Sequence, residues 1–386
     1  MKKCTWCGKE YPDDAEVCAI DGEALKGNEP QERPVERRPG GADGMLNVLE
    51  EVSGPVRRVQ ASELDPDWRP EVIDVSGLKD AFVFAEGYSR PNWKLIRSAI
   101  KQTVPLEKLS EAWTEAATQW VRQVGADLGG EYKVRRSAEF ILLSALEPAA
   151  AEGLLLFAER TLGRIYAALR DAAWQWGHGK HVVLLFTEDD DYYQYVSYYN
   201  ADGIHPASGG CLIHKDYVHI AMPYLDGRSV RQSLTHELLH NSVVHLRLPL
   251  WLNEGLAMVF DWTVDQWRRQ FLDHDLRDRH LMLWNAENIQ KFWSGVSFGE
   301  PGDSNQLSYS LAEIMVHLLL TEAKEFVAFL KLADWRDAGQ TAALDVLGID
   351  LGKTMATFLG EGNWRPNRKA MAECWKDARR EEQKAG

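Results

Sequence analysis

An α+β fold is what this sequence predicts, on two observations. Strand-like and helix-like stretches alternate between residues 132 and 222, and beyond Leu307 the pattern is helical almost throughout. A third observation, the 45% hydrophobic content of a 386-residue chain, supplies enough apolar surface to fill a core of that size.

Taken in order, residues 1–25 form a cysteine cluster, and Lys26 to Met45 is Pro, Gly and charge with almost nothing to bury. We read 26–77 as linker or irregular chain. Residues 78–130 form a helical lead-in, with apolar positions at helical spacing at Trp93, Ile96 and Ile100 and again at Leu109, Trp113, Ala116, Trp120 and Val124. Tyr132 to Leu143 reads as one strand, and Leu155, Leu162, Ile165, Tyr166 and Leu169 as the buried stripe of a long helix. A second strand is expected at His181 to Phe186, a short helix at Asp191 to Tyr199, and a third strand at Cys211 to Met222, opened by Gly209-Gly210. Ser229 with Gln232 three residues on is a capping-box pair, so a helix is expected from there to about His245. Another covers Leu250 to Trp262. Residues 131–262 thus make the core domain and 263–386 a helical C-terminal part, with turns near Ala338-Gly339 and Gly348.

Bulk chemistry narrows the partners. Lys plus Arg number 44 against 58 Asp plus Glu, and a net charge of −14 argues against a nucleic-acid backbone. No apolar run approaches the roughly 18 to 20 residues that span a bilayer, and no secretory h-region follows the N-terminus. Three of the five cysteines lie within the first 18 residues, which is not a disulfide framework, so a cytoplasmic location is expected.

Thr235-His236-Glu237-Leu238-Leu239-His240 is an HExxH motif. On a helix, residues i and i+4 point the same way, so His236 and His240 can hold one Zn²⁺ while Glu237 faces the open coordination position as general base. Composition alone yields about 0.05 such matches in a chain of this length. A catalytic zinc needs a third protein ligand. Glu254 is the candidate, because a single carboxylate embedded in the apolar stretch Pro249 to Phe260 is costly unless it is paired or metal-bound. His245 lies nine residues from His236, half a turn out of phase on the same helix. Val243 and Leu246 occupy the places where a metzincin carries Gly and His. Cys211, after Gly209-Gly210, is similar to the cysteine ligand of peptide deformylases, but Thr235 stands where those enzymes carry Gln, and a buried free cysteine is the simpler reading. Asp261 and Glu313 are held in reserve as ligands.

The HExxH segment, together with Trp251-Leu252-Asn253-Glu254-Gly255-Leu256-Ala257, resembles the gluzincin type of the peptidase MA-like zinc metallopeptidases. The resemblance runs from about Tyr132 to Leu359. It implies a thermolysin-like zincin active-site half, with a small mixed sheet and the HExxH helix, followed by a helical half. Tyr309, in Tyr309-Ser310-Leu311-Ala312, is similar to a tyrosine of that family and is a candidate oxyanion donor, with a packed core tyrosine as the competing reading. Met258 departs from the pattern, standing where many gluzincins carry an Asp behind the glutamate ligand.

Cys4-x-x-Cys7-Gly8 and Cys18 to Gly22 resemble a short zinc ribbon whose fourth ligand is Asp21. Such a site would be structural, docking a protein partner. The strand Val218 to Ala221 is expected along the cleft, pairing with an extended peptide or protein substrate, with His219 at its solvated rim. Two rival functions use the same residues: a scaffold that keeps the fold and metal, and a zinc hydrolase acting on a non-peptide amide.

Overall fold

The computed structural model describes residues 2–3, 10–11, 61–199, 209–264, 274–320 and 323–385. The chain folds as two units; among the described residues the first holds 2–3, 10–11, 61–163 and 175–241, and the second 164–174 and 242–385.

The first unit carries the sheet. Besides the short pair β1 (Lys2–Lys3) and β2 (Glu10–Tyr11), a six-stranded sheet runs in the order β3 (Ser62–Glu63), β6 (Lys133–Arg136), β7 (Phe140–Ser144), β8 (His181–Phe186), β10 (His219–Pro223), β9 (Cys211–Ile213). The β7, β8 and β10 strands are parallel, and β3, β6 and β9 attach antiparallel. Parallel neighbours need crossovers. Helix α3 (Pro148–Leu169) joins β7 to β8, and α4 (Asp189–Ser197) lies between β8 and β10. All six residues of β8 are buried, as expected for a strand covered on both faces. Val182, Leu184 and Phe186 join Ile141, Leu143 and Ala221 in one core, to which α1 (Trp93–Thr103) and α2 (Leu109–Leu128) contribute Ile96, Trp120 and Val124.

Several expectations change here. The single strand at Tyr132 to Leu143 is a hairpin, β6 and β7, and the single strand at Cys211 to Met222 is another, β9 and β10, turned through Asp216 at φ 58°. Val218 to Ala221 is consequently no edge, since β10 lies between β8 and β9. Residues 61–77, read as linker or irregular chain, are irregular apart from β3 but fixed to the first unit. Buried Glu115 of α2 accepts backbone N–H bonds from Glu71, Val72 and Ile73 at 2.8 to 2.9 Å, and Val75 is fully buried. The lead-in also contains a hairpin, β4 (Phe82–Ala85) and β5 (Tyr88–Pro91), joined by Glu86 and Gly87, both at positive φ as a two-residue turn requires.

The second unit is helical: α6 (Leu250–Val264), α7 (His274–Leu283), α8 (Ile289–Ser294), α9 (Asp303–Leu319), α10 (Ala323–Leu332), α11 (Leu351–Leu359) and α12 (Arg368–Ala385). The chain takes left-handed φ at Ala338, Gly339 and Gly348, where turns were expected. Helices α6 and α9 pack closely at Gly255, where a Cβ would come within 2.6 Å of the Ala312 carbonyl carbon. Tryptophan indoles tie the unit to its own backbone: Trp251 donates to the Ala338 carbonyl at 3.1 Å and Trp293 to that of Trp364 at 2.8 Å. No helix among the described residues is long and apolar enough to cross a membrane.

Candidate metal centre

Helix α5 (Gly227–Val243) carries the HExxH motif. Its cap is Asp226 in place of the Ser229 capping box: the Asp226 carboxylate accepts from the Arg228 and Ser229 amides at 2.8 and 2.9 Å and from the Ser229 hydroxyl at 2.6 Å. Those bonds hold the Asp226 carboxyl below its usual range. Along α5, Leu234, Leu238, Leu239 and Val243 are buried, and His236 and His240 are half-buried. Their rings meet edge to face with centroids 4.6 Å apart, the result of spacing by one helical turn.

After Val243 the chain turns, with the Leu246 amide bonded to the Val243 carbonyl at 2.8 Å, and Pro249 opens α6 by accepting from Leu252 and Asn253. Glu254 follows on the first turn, 9% exposed between Leu252 and Leu256, which are fully buried. One donor atom from each of His236, His240 and Glu254 lies within 4.8 Å of the others. In a tetrahedral site with bonds of about 2.0 to 2.2 Å, donors stand roughly 3.3 to 3.5 Å apart, so side-chain shifts of at most roughly an ångström complete the fit. Two imidazoles and one carboxylate are a borderline donor set suited to Zn²⁺.

Family models, curated proteins and solved structures return no match to this chain.

Glu237, beside His236, is 8% exposed. It also reaches Cys211 electrostatically: burial pushes that thiol up to about 12, a hydrogen bond with Tyr192 opposes the rise, and the Glu237 charge adds to it. Among the described residues, Cys211, Asp261 and Glu313 do not join the three-donor group. Glu313 pairs instead with His317 at 3.8 Å. His245, past the end of α5, stacks on Trp174 with centroids 3.4 Å apart. Tyr309 is half-buried on α9 with its ring edge against Phe298, 5.1 Å between centroids. The ribbon candidates Cys4, Cys7, Cys18 and Asp21 lie outside the described residues.

Two histidines went unassigned or misplaced in the sequence. His219 is no rim residue: it is 1% exposed, its Nδ1–H donates to the Tyr217 carbonyl, and its Nε2 accepts from the Tyr195 hydroxyl, each at 2.8 Å. His181, 3% exposed at the start of β8, meets the Asn241 side chain of α5 at 2.8 Å. Burial lowers both imidazoles to about 4. A histidine inside an apolar strand signals a buried imidazole, but nothing in the sequence names its partner.

Proposed function

We propose that this chain is a zinc-dependent metallopeptidase of gluzincin type, in which His236, His240 and Glu254 hold the catalytic metal. The observation that carries this reading is the convergence of the two HExxH imidazoles with the carboxylate of the following helix, all within 4.8 Å. A zinc ion held there supplies Lewis acidity, acidifying water and polarising a carbonyl.

The rest falls to the protein's own side chains. Glu237, held on the same helix and largely withdrawn from solvent, accepts the proton of the attacking water and delivers it to the leaving amine. A peptide lies extended along β9, the antiparallel edge strand among the described residues, and pairs with it. Tyr309 is the candidate donor to the developing oxyanion. A second, structural zinc belongs to Cys4, Cys7, Cys18 and Asp21, serving contact with a protein partner.

The test is Glu237→Gln. Turnover on a mixed peptide library should fall by about 10³-fold while zinc content by elemental analysis stays the same. Undiminished hydrolysis would remove Glu237 from the mechanism, and hydrolysis of simple amides without peptides would move the substrate class.

A further inference from the structure

A cavity of about 190 Å³ opens in the first unit, apart from the three-donor group, and is lined by the loop 175–180, by α2 and by residues at the start of β8 and the end of α5. The loop is held in shape. Gly177 and Gly179 adopt φ of 92° and 84°, which other residues adopt only under strain. Gly179 has no room for a side chain, since a Cβ would lie 2.7 Å from the Tyr217 hydroxyl and 3.0 Å from the Thr114 amide. The Tyr217 hydroxyl donates to the Lys180 carbonyl at 2.5 Å, and the Gln175 amide bonds across the loop to the Gly179 carbonyl.

What lines this cavity is chemically specific. Trp113 and Trp176 supply aromatic surface. Arg97 and Lys180 supply positive charge, and Arg97 meets the one lining carboxylate, Asp216, only at 4.0 Å. Lys180 donates to the Ser137 carbonyl, and Glu139 and Glu159 act on its charge from outside the cavity lining. His181 and Asn241 bond to each other through Nδ1 and Nδ2, while His181 Nε2 and Asn241 Oδ1 are buried and make no hydrogen bond. With Asn241 Nδ2 donating, His181 carries its proton on Nε2, so the pair leaves one donor and one acceptor. Turning the amide over exchanges the two roles and still leaves one of each. Buried donors and acceptors without partners are costly, and both residues line the same cavity.

We propose that this cavity binds a small planar anion: a heteroaromatic ring bearing a carboxylate for Arg97 and Lys180 and an adjacent N–H and C=O for His181 and Asn241. The ring lies against the tryptophans. A cavity of about 150 Å³ accepts benzene, so one six-membered ring with its substituents suits this volume. The inference stands on residues that the hydrolase reading does not use.

Calorimetric titration of the full-length chain with three probes tests it. Orotate carries both the carboxylate and the amide edge, benzoate only the carboxylate, and uracil only the edge. Orotate should bind at least about tenfold more tightly than either of the others. Arg97→Ala, at a half-exposed position, should weaken orotate about tenfold and leave uracil unchanged. Asn241→Leu, checked for folding by circular dichroism, should weaken orotate and leave benzoate unchanged. Absence of orotate binding up to about 1 mM, equal affinity for orotate and benzoate, or orotate affinity unmoved by Arg97→Ala would each overturn the proposal. In the first case ordered water is the only partner of His181 Nε2 and Asn241 Oδ1.

Discussion

Two pairs of histidines in the first unit are handled in opposite ways. His181 and His219, on β8 and β10, are buried and hydrogen-bonded to neighbours, and burial lowers both pKa values to about 4. His236 and His240, on α5, are half-buried, face each other and share their surroundings with a carboxylate. His219 spends its donor and acceptor on its own fold, and His181 spends one of its two ring nitrogens on Asn241. The half-buried pair one turn apart on α5 instead converges with an acid on a shared point.

The comparison breaks first at Glu254. Glu254→Ala leaves a two-histidine site, and zinc affinity should fall by more than about 100-fold, the upper range for losing a group that merely supports a ligand. Full zinc occupancy after dialysis against a weak chelator would detach Glu254 from the pair. The next effect is on the sheet. His219→Phe strips the partners from the Tyr195 hydroxyl and Tyr217 carbonyl and should cost about 3 kcal/mol in denaturant unfolding, with zinc stoichiometry unchanged. Loss of zinc in that variant would erase the distinction between the two pairs.

Acid sharpens it. Folded-state values of about 4 for His181 and His219 lie below the ordinary value near 6.5, so the unfolded chain binds more protons between those limits. Their contribution is complete above pH 6.5 and is lost as pH falls towards 4. In metal-stripped protein, His219→Phe should therefore flatten the decline across this window by about 3 kcal/mol relative to the parent chain. Parallel declines would mean that His219 is already charged in the fold. The smallest effect is expected at Cys211, where Cys211→Ala should change stability by about 1 kcal/mol or less and leave zinc content intact. Zinc loss there would make the thiol a ligand after all.

How much of this was legible varies with the range of the interaction. The His236–His240 pairing follows from one helical turn, and Glu254 was visible as an acid among apolar neighbours. Helix caps were less so: Ser229 and Asp226 both fit, and only the chain's path makes Asp226 the acceptor. The β6–β7 turn at 137–139 contains neither Gly nor Pro, so two strands read as one. Strand order is longer-ranged still. That β9 and not β10 forms the edge depends on pairings between strands more than 30 residues apart, which no local pattern encodes. The attachment of residues 71–73 to Glu115 is of the same kind, because an exposed-looking segment became ordered through a distant buried acid.

The contact at Gly255 bears on how substitutions in this region should be interpreted. Backbone meets backbone there, and any side chain would collide with the Ala312 peptide of α9. A library selected only for soluble, folded protein should thus already reject nearly every substitution at 255, whatever the chain does for its host. The neighbouring acid carries no such steric demand: Glu254→Gln keeps its shape and loses only its charge. Tolerance at 254 under selection for folding, followed by intolerance under selection for activity, would separate a residue kept by architecture from one kept by chemistry, although the two are adjacent on one helix.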